Sequence, residues 1–256
     1  MKKQLFIISM LALTLLLSGA CGKKSKKEED KTEYLTYEEI CELPVGSFGI
    51  AEGEIFGSLD EYIDFYSKRD YEYAPVIVRV KENKYFWRWE KDEDENALYP
   101  GSFKGYSQVS LVPEKTADGY DKLYEDDEII TQNRDYYFYI KDGGIWDELI
   151  RLINKNTGEN IKNLEELYKH DTITIEMKPE KGVNYTQACM MGRYDFPLEE
   201  GALYTALLLK GKDGKKFCSL LLPVNNSGEA AVLLYEKYNV EKEDANLALE
   251  VSRLFD

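Results

Sequence analysis

Histidine occurs once in this chain, at His170. A metal centre built on several histidines is therefore excluded, and a Ser-His-Asp arrangement would rest on that residue alone. His170 follows a short helical stretch, where capping is the expected role. No two of the 4 cysteines stand at C-x-x-C spacing, which removes the common redox and zinc motifs. The serines of Gly46-Ser47-Phe48-Gly49 and Gly101-Ser102-Phe103-Lys104-Gly105 lack the G-x-S-x-G spacing of a nucleophile elbow. Positive charge is also in short supply, with 33 Lys and Arg against 48 Asp and Glu. That balance argues against general affinity for nucleic acid, whose phosphates an acidic surface repels. Its ordinary meaning is solubility.

The apolar run at residues 5–17 falls short of the roughly 20 residues that a membrane-spanning helix needs. Lys2 and Lys3 precede it, and the small residues Ser18-Gly19-Ala20 close it directly before Cys21. Charge, apolar core and small-residue cleavage site, in that order, mark an export signal over residues 1–20. Leu16-Leu17-Ser18-Gly19-Ala20-Cys21 resembles the lipobox of bacterial lipoproteins of the Gram-positive type. The resemblance implies an S-diacylglycerol on Cys21, cleavage before it, and a lipid-anchored protein on the extracytoplasmic face of the cell membrane. Ser18 stands where that family usually has Leu; an ordinary secretory signal containing a cysteine is the alternative. Residues 21–33 then read as a lipidated flexible tether, since residues 22–31 have no apolar side chain to bury. Lys23, Lys24, Lys26 and Lys27 would each gain about 1 kcal/mol beside anionic headgroups. Lipid plus basic cluster is a two-signal attachment to the bilayer.

Residues 34–256 are expected to form a single α+β domain. Thr36 to Glu39 and Ser58 to Glu61 both fit capping boxes that open helices. From Pro75 the period becomes two, with Val76, Val78 and Val80 on one face. A turn at Glu82-Asn83 would bring Tyr85, Trp87 and Trp89 onto that same face, in a hairpin ended by Asp92-Glu93-Asp94-Glu95-Asn96. Further strands are expected at 106–113, 128–131, 136–140, 172–177, 202–210 and 216–222. The last two are joined by a hairpin with Gly211 and Gly214 in its turn. Helices are expected at 145–153 and 164–168, and again near the C-terminus at 230–238 and 243–255.

The stretches Pro75-Val76-Ile77-Val78-Arg79-Val80, Tyr106-Ser107-Gln108-Val109-Ser110-Leu111-Val112 and Leu123-Tyr124-Glu125-Asp126-Asp127-Glu128-Ile129-Ile130 carry a second resemblance. With Pro197-Leu198-Glu199-Glu200-Gly201-Ala202-Leu203-Tyr204, they look like the oligonucleotide/oligosaccharide-binding-like (OB-like) barrel of Gram-positive surface lipoproteins. Asp126 stands where that pattern has glycine. The expected architecture is thus an antiparallel β-barrel or sheet core with flanking helices, including a C-terminal helical segment. A barrel of this kind is a binding scaffold in many settings, but fold alone does not give function.

No catalytic, metal or cofactor constellation stands out. Asp92-Glu93-Asp94-Glu95-Asn96 begins like a calcium loop, but Ala97 occupies the glycine position and Phe103 the bidentate one. Tyr85, Trp87 and Trp89 are candidates for stacking on a ligand, with core burial the blander alternative. Cys41, Cys189 and Cys218 could supply one disulfide at most, leaving a free thiol. The function expected is a membrane-anchored binding or interaction module for an envelope protein or a glycan. An accessory part of a transport or secretion assembly, and a carboxylate-dependent extracellular hydrolase, are the alternatives.

Overall fold

One strand organises the fold: β2 (Glu72–Lys91), 20 residues long. The structure is a computed structural model that describes residues 32–50, 54, 56–92, 101–140, 145–191, 195–224, 229–238, 240 and 242–256. The signal, Cys21, most of the tether and the acidic loop beyond Asp92 lie outside the described residues, and the folded unit spans Tyr34–Asp256.

The turn expected at Glu82 and Asn83 does not form. The chain runs straight through, and β3 (Gly101–Thr116) pairs antiparallel with it from Val76↔Thr116 to Lys91↔Gly101. The residues expected to face inward are buried all the same, but in two cores rather than one: Val76, Val78 and Val80 in the first, Tyr85, Trp87 and Trp89 in the second. A bulge sets their parity. Val80 lies opposite Leu111 and Glu82 opposite Ser110, so Lys81 has no partner on β3. One extra residue shifts the two-residue alternation from even to odd numbers. A turn and a bulge both change that parity, and the apolar period alone does not distinguish them.

The main sheet runs β4 (Ile130–Arg134), β3, β2, β8 (Leu203–Lys210), β9 (Lys216–Pro223), all antiparallel. Its two ends meet through Gln132, whose side chain bonds the Cys218 backbone in both directions at 2.9 Å. This is the α+β, OB-like antiparallel barrel with flanking helices. β8 leaves β2 at Arg79, and β6 (Thr172–Met177) joins the same side of β2 from Tyr85 onward. A three-stranded sheet completes the set: β1 (Val45–Ile50), β7 (Tyr185–Met191) and β5 (Tyr137–Ile140), with β1 parallel to β7. Neither β1 nor β7 had a readable two-residue period.

Six helices flank the sheets among the described residues: α1 (Tyr37–Cys41), α2 (Leu59–Ser67), α3 (Ile145–Thr157), α4 (Leu164–Leu167), α5 (Glu229–Tyr238) and α6 (Lys242–Arg253). Thr36 and Glu39 form the reciprocal capping box of α1. Ser58 caps α2, while Glu250 of α6 accepts from the Leu59 N–H at 2.8 Å and ties the C-terminal helix to it. α2, α5 and α6 pack on the barrel core around Val76, Val78, Leu111, Leu207 and Val251. β8 is buried along almost its whole length because α6 packs against it. α3 and α4 close a second core around Trp87, Trp89, Phe138, Ile153 and Ile175.

One local detail corrects the expected strand at 128–131, and a second explains two glycines. In the 123–130 stretch only Ile130 belongs to a strand, and Asp127, next to Asp126, takes a left-handed backbone (φ 64°). The glycines around Ser102 serve close approach: a Cβ on Gly105 would collide with the ring of Tyr137, and one on Gly101 with Trp89. The hairpin after β8 forms as expected, with Gly214 at φ 78° and the Gly211 N–H bonded to the Lys215 carbonyl at 2.9 Å.

Candidate functional site

The aromatic candidates for ligand stacking are core residues. Trp87 is 0% exposed and Trp89 1%, so neither offers a ring face to a ligand. Their indole N–H groups are spent internally, Trp87 on the Phe138 carbonyl at 2.8 Å and Trp89 on the His170 carbonyl at 3.2 Å. Tyr85 is also buried, and its hydroxyl accepts from the Asn83 amide at 3.0 Å. His170 is partly exposed, with Nε2 3.3 Å from a carboxylate oxygen of Glu159, which precedes α4 in the chain.

No disulfide joins Cys41, Cys189 and Cys218. They end α1, sit within β7 and sit within β9, respectively. Burial pushes the Cys218 thiol up to about 12 and raises that of half-buried Cys41 as well. The Cys189 sulfur lies 3.9 Å from the carbonyls of Gly46 and Tyr238.

Beneath these residues lies a buried polar hub. Gln187, fully buried on β7, accepts from the hydroxyls of Tyr136 at 2.6 Å and Tyr238 at 3.0 Å, and donates to the Leu43 carbonyl at 2.8 Å. Arg134 is buried beside it, donating to the Phe196 carbonyl at 3.0 Å and lying 4.0 Å from Asp195. These groups satisfy one another and hold β7 against α5 and the segment before β1. A stacked pair, Phe86 and Tyr106 (5.2 Å, 18°), marks the outer face of β2 and β3, where each ring half-covers the other.

A groove of about 290 Å³ opens where the chain enters the fold, between Tyr34, α3 and the end of β6. Tyr34 is held there by a bridge to Glu180, and the next N–H, of Leu35, donates to the Pro179 carbonyl at 2.8 Å. Tyr34 stays 42% exposed. Leu152 forms an apolar floor. Asn156 donates its amide to the Leu152 carbonyl at 3.0 Å, while Lys178 and Glu176 stand exposed at the rim. Glu180 is tied down by two cations, Arg151 at 2.9 Å and Lys155 at 3.1 Å. Arg151 is in turn gripped by Glu148, and both carboxylates hold its guanidinium further toward the charged form.

The groove therefore offers one exposed ring, an apolar floor and balanced charge. It can hold a polar ligand, but Glu180 is too well occupied to activate water. None of its residues stood out in the sequence. The one signal was the amphipathic α3, whose Arg151 and Lys155 lie four apart on one helix face.

Matching this chain against protein families, curated proteins and solved structures finds no similar one.

Proposed function

We propose that this chain is a lipid-anchored binding module on the extracytoplasmic face of the membrane, and that the groove beside Tyr34 is its ligand site. The observation that carries the proposal is the groove itself. A half-exposed tyrosine ring faces an apolar floor, within a rim of balanced charge, on a fold whose other aromatic residues are mostly packed inward. Ligand sites commonly combine such a concave apolar base with a few fixed polar groups. Tyr34 follows Cys21 by 13 residues, so a tether of that length reaches at most about 45 Å. A ligand within that distance of the bilayer, an envelope protein or a glycan, is in range.

Two measurements test the proposal on the full chain. Metabolic labelling with a tagged fatty acid should mark the protein, and Cys21→Ser should abolish both the label and retention in the membrane fraction. Soluble glycans and linear peptides should be screened for those that raise the melting point. A stabilising probe whose effect Tyr34→Ala removes supports the site. Failure of both panels to stabilise the protein would overturn it.

A further inference from the structure

The groove leaves a polypeptide little to hold. β6 meets it only through Glu176, near the end of the strand. Just beyond, the backbone is already engaged by the entering chain, with Tyr34 bridged to Glu180 and the Leu35 N–H on the Pro179 carbonyl. A peptide added as a strand needs a run of open backbone groups, and a bound helix needs a row of apolar seats. Leu152 is the one aliphatic residue lining the groove, which therefore offers neither.

What the groove does offer is unspent hydrogen-bonding capacity of both kinds beside one aromatic residue. Exposed and buried residues alternate from Ile175 to Pro179, which sets Glu176 and Lys178 together on the exposed side. Among the described residues neither side chain is committed to a hydrogen bond or an ion pair. On α3, Asn156 spends its amide N–H on the Leu152 carbonyl at 3.0 Å and keeps its Oδ1 as an acceptor. Glu180 and Lys155 neutralise each other at 3.1 Å. The open groups are thus a carboxylate, an amide oxygen and an ammonium, whose charges cancel. Tyr34, 42% exposed, is the one aromatic residue among them.

We infer that the groove takes a short neutral glycan. This inference rests on the groove being the ligand site and names its ligand class. A sugar hydroxyl donates and accepts at once, so hydroxyls of one ring can donate to Glu176 and Asn156 while accepting from Lys178. The C–H face of such a ring suits the electron-rich face of a tyrosine. Open charges that cancel give an ionic ligand no advantage. A volume of about 290 Å³ lies at the small end for ligand sites and suits one or two sugar rings better than a long chain.

Calorimetry on the full-length chain in detergent tests the class. The probes are short neutral oligomers of glucose, galactose, mannose and N-acetylglucosamine, with peptides selected from a random linear library as the rivals. At least one oligomer should bind, with an affinity unchanged from low to high salt. Tyr34→Ala should weaken it by about tenfold or more, and Glu176→Ala and Lys178→Ala by at least about threefold each, all at an unchanged melting point. Tyr34→Phe, which keeps the ring, should bind as the parent does. Peptides that bind and lose affinity in Tyr34→Ala, beside silent oligomers, would overturn the inference and leave the groove a binding site. Oligomer affinity that collapses in high salt would overturn it in favour of a charged ligand. Oligomer binding indifferent to both Tyr34→Ala and Glu176→Ala, or no binding from either panel, would overturn the groove itself. If Tyr34→Ala folds poorly, Glu176→Ala and Lys178→Ala decide alone, since both side chains are exposed, and unchanged affinity in both overturns the inference.

Discussion

Gln132 of β4 and Cys218 of β9 exchange two hydrogen bonds at 2.9 Å, side-chain amide to backbone N–H and C=O. The side chain thereby imitates a strand residue and seals the barrel where β4 and β9 form no ladder of their own. Replacing it with Leu keeps the volume and removes both bonds, leaving two backbone groups of a buried residue unpaired. Gln132→Leu should cost about 2 to 3 kcal/mol in urea unfolding. Gln132→Glu, which keeps the acceptor and loses the donor, should fall between the two. A Gln132→Leu protein as stable as the parent would show that the seam is held elsewhere.

The bulge at Lys81 makes a sharper prediction than any single side chain. Lys81→Ala should stay within about 0.5 kcal/mol, because the side chain is exposed. Deleting Lys81 should prevent folding, because it moves Tyr85, Trp87 and Trp89 to the solvent face. Trp87→Ala should cost about 3 to 5 kcal/mol, whereas Arg88→Ala on the other face should cost little. Circular dichroism and urea titration of the four variants check the set. A folded deletion variant would contradict the bulge.

Much of this was legible from the period of the sequence. The strand at 172–177, the hairpin at 211–215 and the C-terminal helices announced themselves through alternation, paired glycines and an amphipathic repeat. The inward set on β2 was legible too, although the device producing it was not, since a turn and a bulge leave the same apolar trace. β7 escaped because Gln187 and Thr186 are buried polar residues that break its pattern. The groove escaped because its residues come from three separate segments, Tyr34, α3 and the end of β6, and only the fold brings them together.

High pH should unfold the protein in a characteristic way. Burial raises the phenols of Tyr62, Tyr85, Tyr136, Tyr204 and Tyr238 above the ordinary tyrosine range, and pushes Tyr185 up to about 12. The unfolded chain therefore loses these protons first. Their contribution is fully present below the unfolded value of 10.0 and is lost as pH rises through the raised folded values. The melting point should fall steeply above about pH 10, with tyrosinate absorbance and loss of structure appearing together. Gradual ionisation of all 20 tyrosines before unfolding would contradict this.

Thiol labelling should separate the three cysteines of the folded domain. Cys41 is half-buried, and Cys189 and Cys218 are buried. A maleimide at neutral pH should label Cys41 first, and slowly, because burial raises its thiol too. Cys218 should react only on unfolding. Peptide mapping after timed labelling checks the order, and early modification of Cys218 would contradict its place in the barrel.

The most direct test of the groove as a ligand site is the dissociation constant of its tightest probe, measured by calorimetry for Tyr34→Ala and Tyr106→Ala. Tyr106 belongs to the stacked pair with Phe86 on the outer face of β2 and β3 and serves as the control. The account predicts a loss of about tenfold or more for Tyr34→Ala, with an unchanged melting point, and none for Tyr106→Ala. Unchanged affinity in Tyr34→Ala together with loss in Tyr106→Ala would contradict it and move the site to the outer face of β2 and β3.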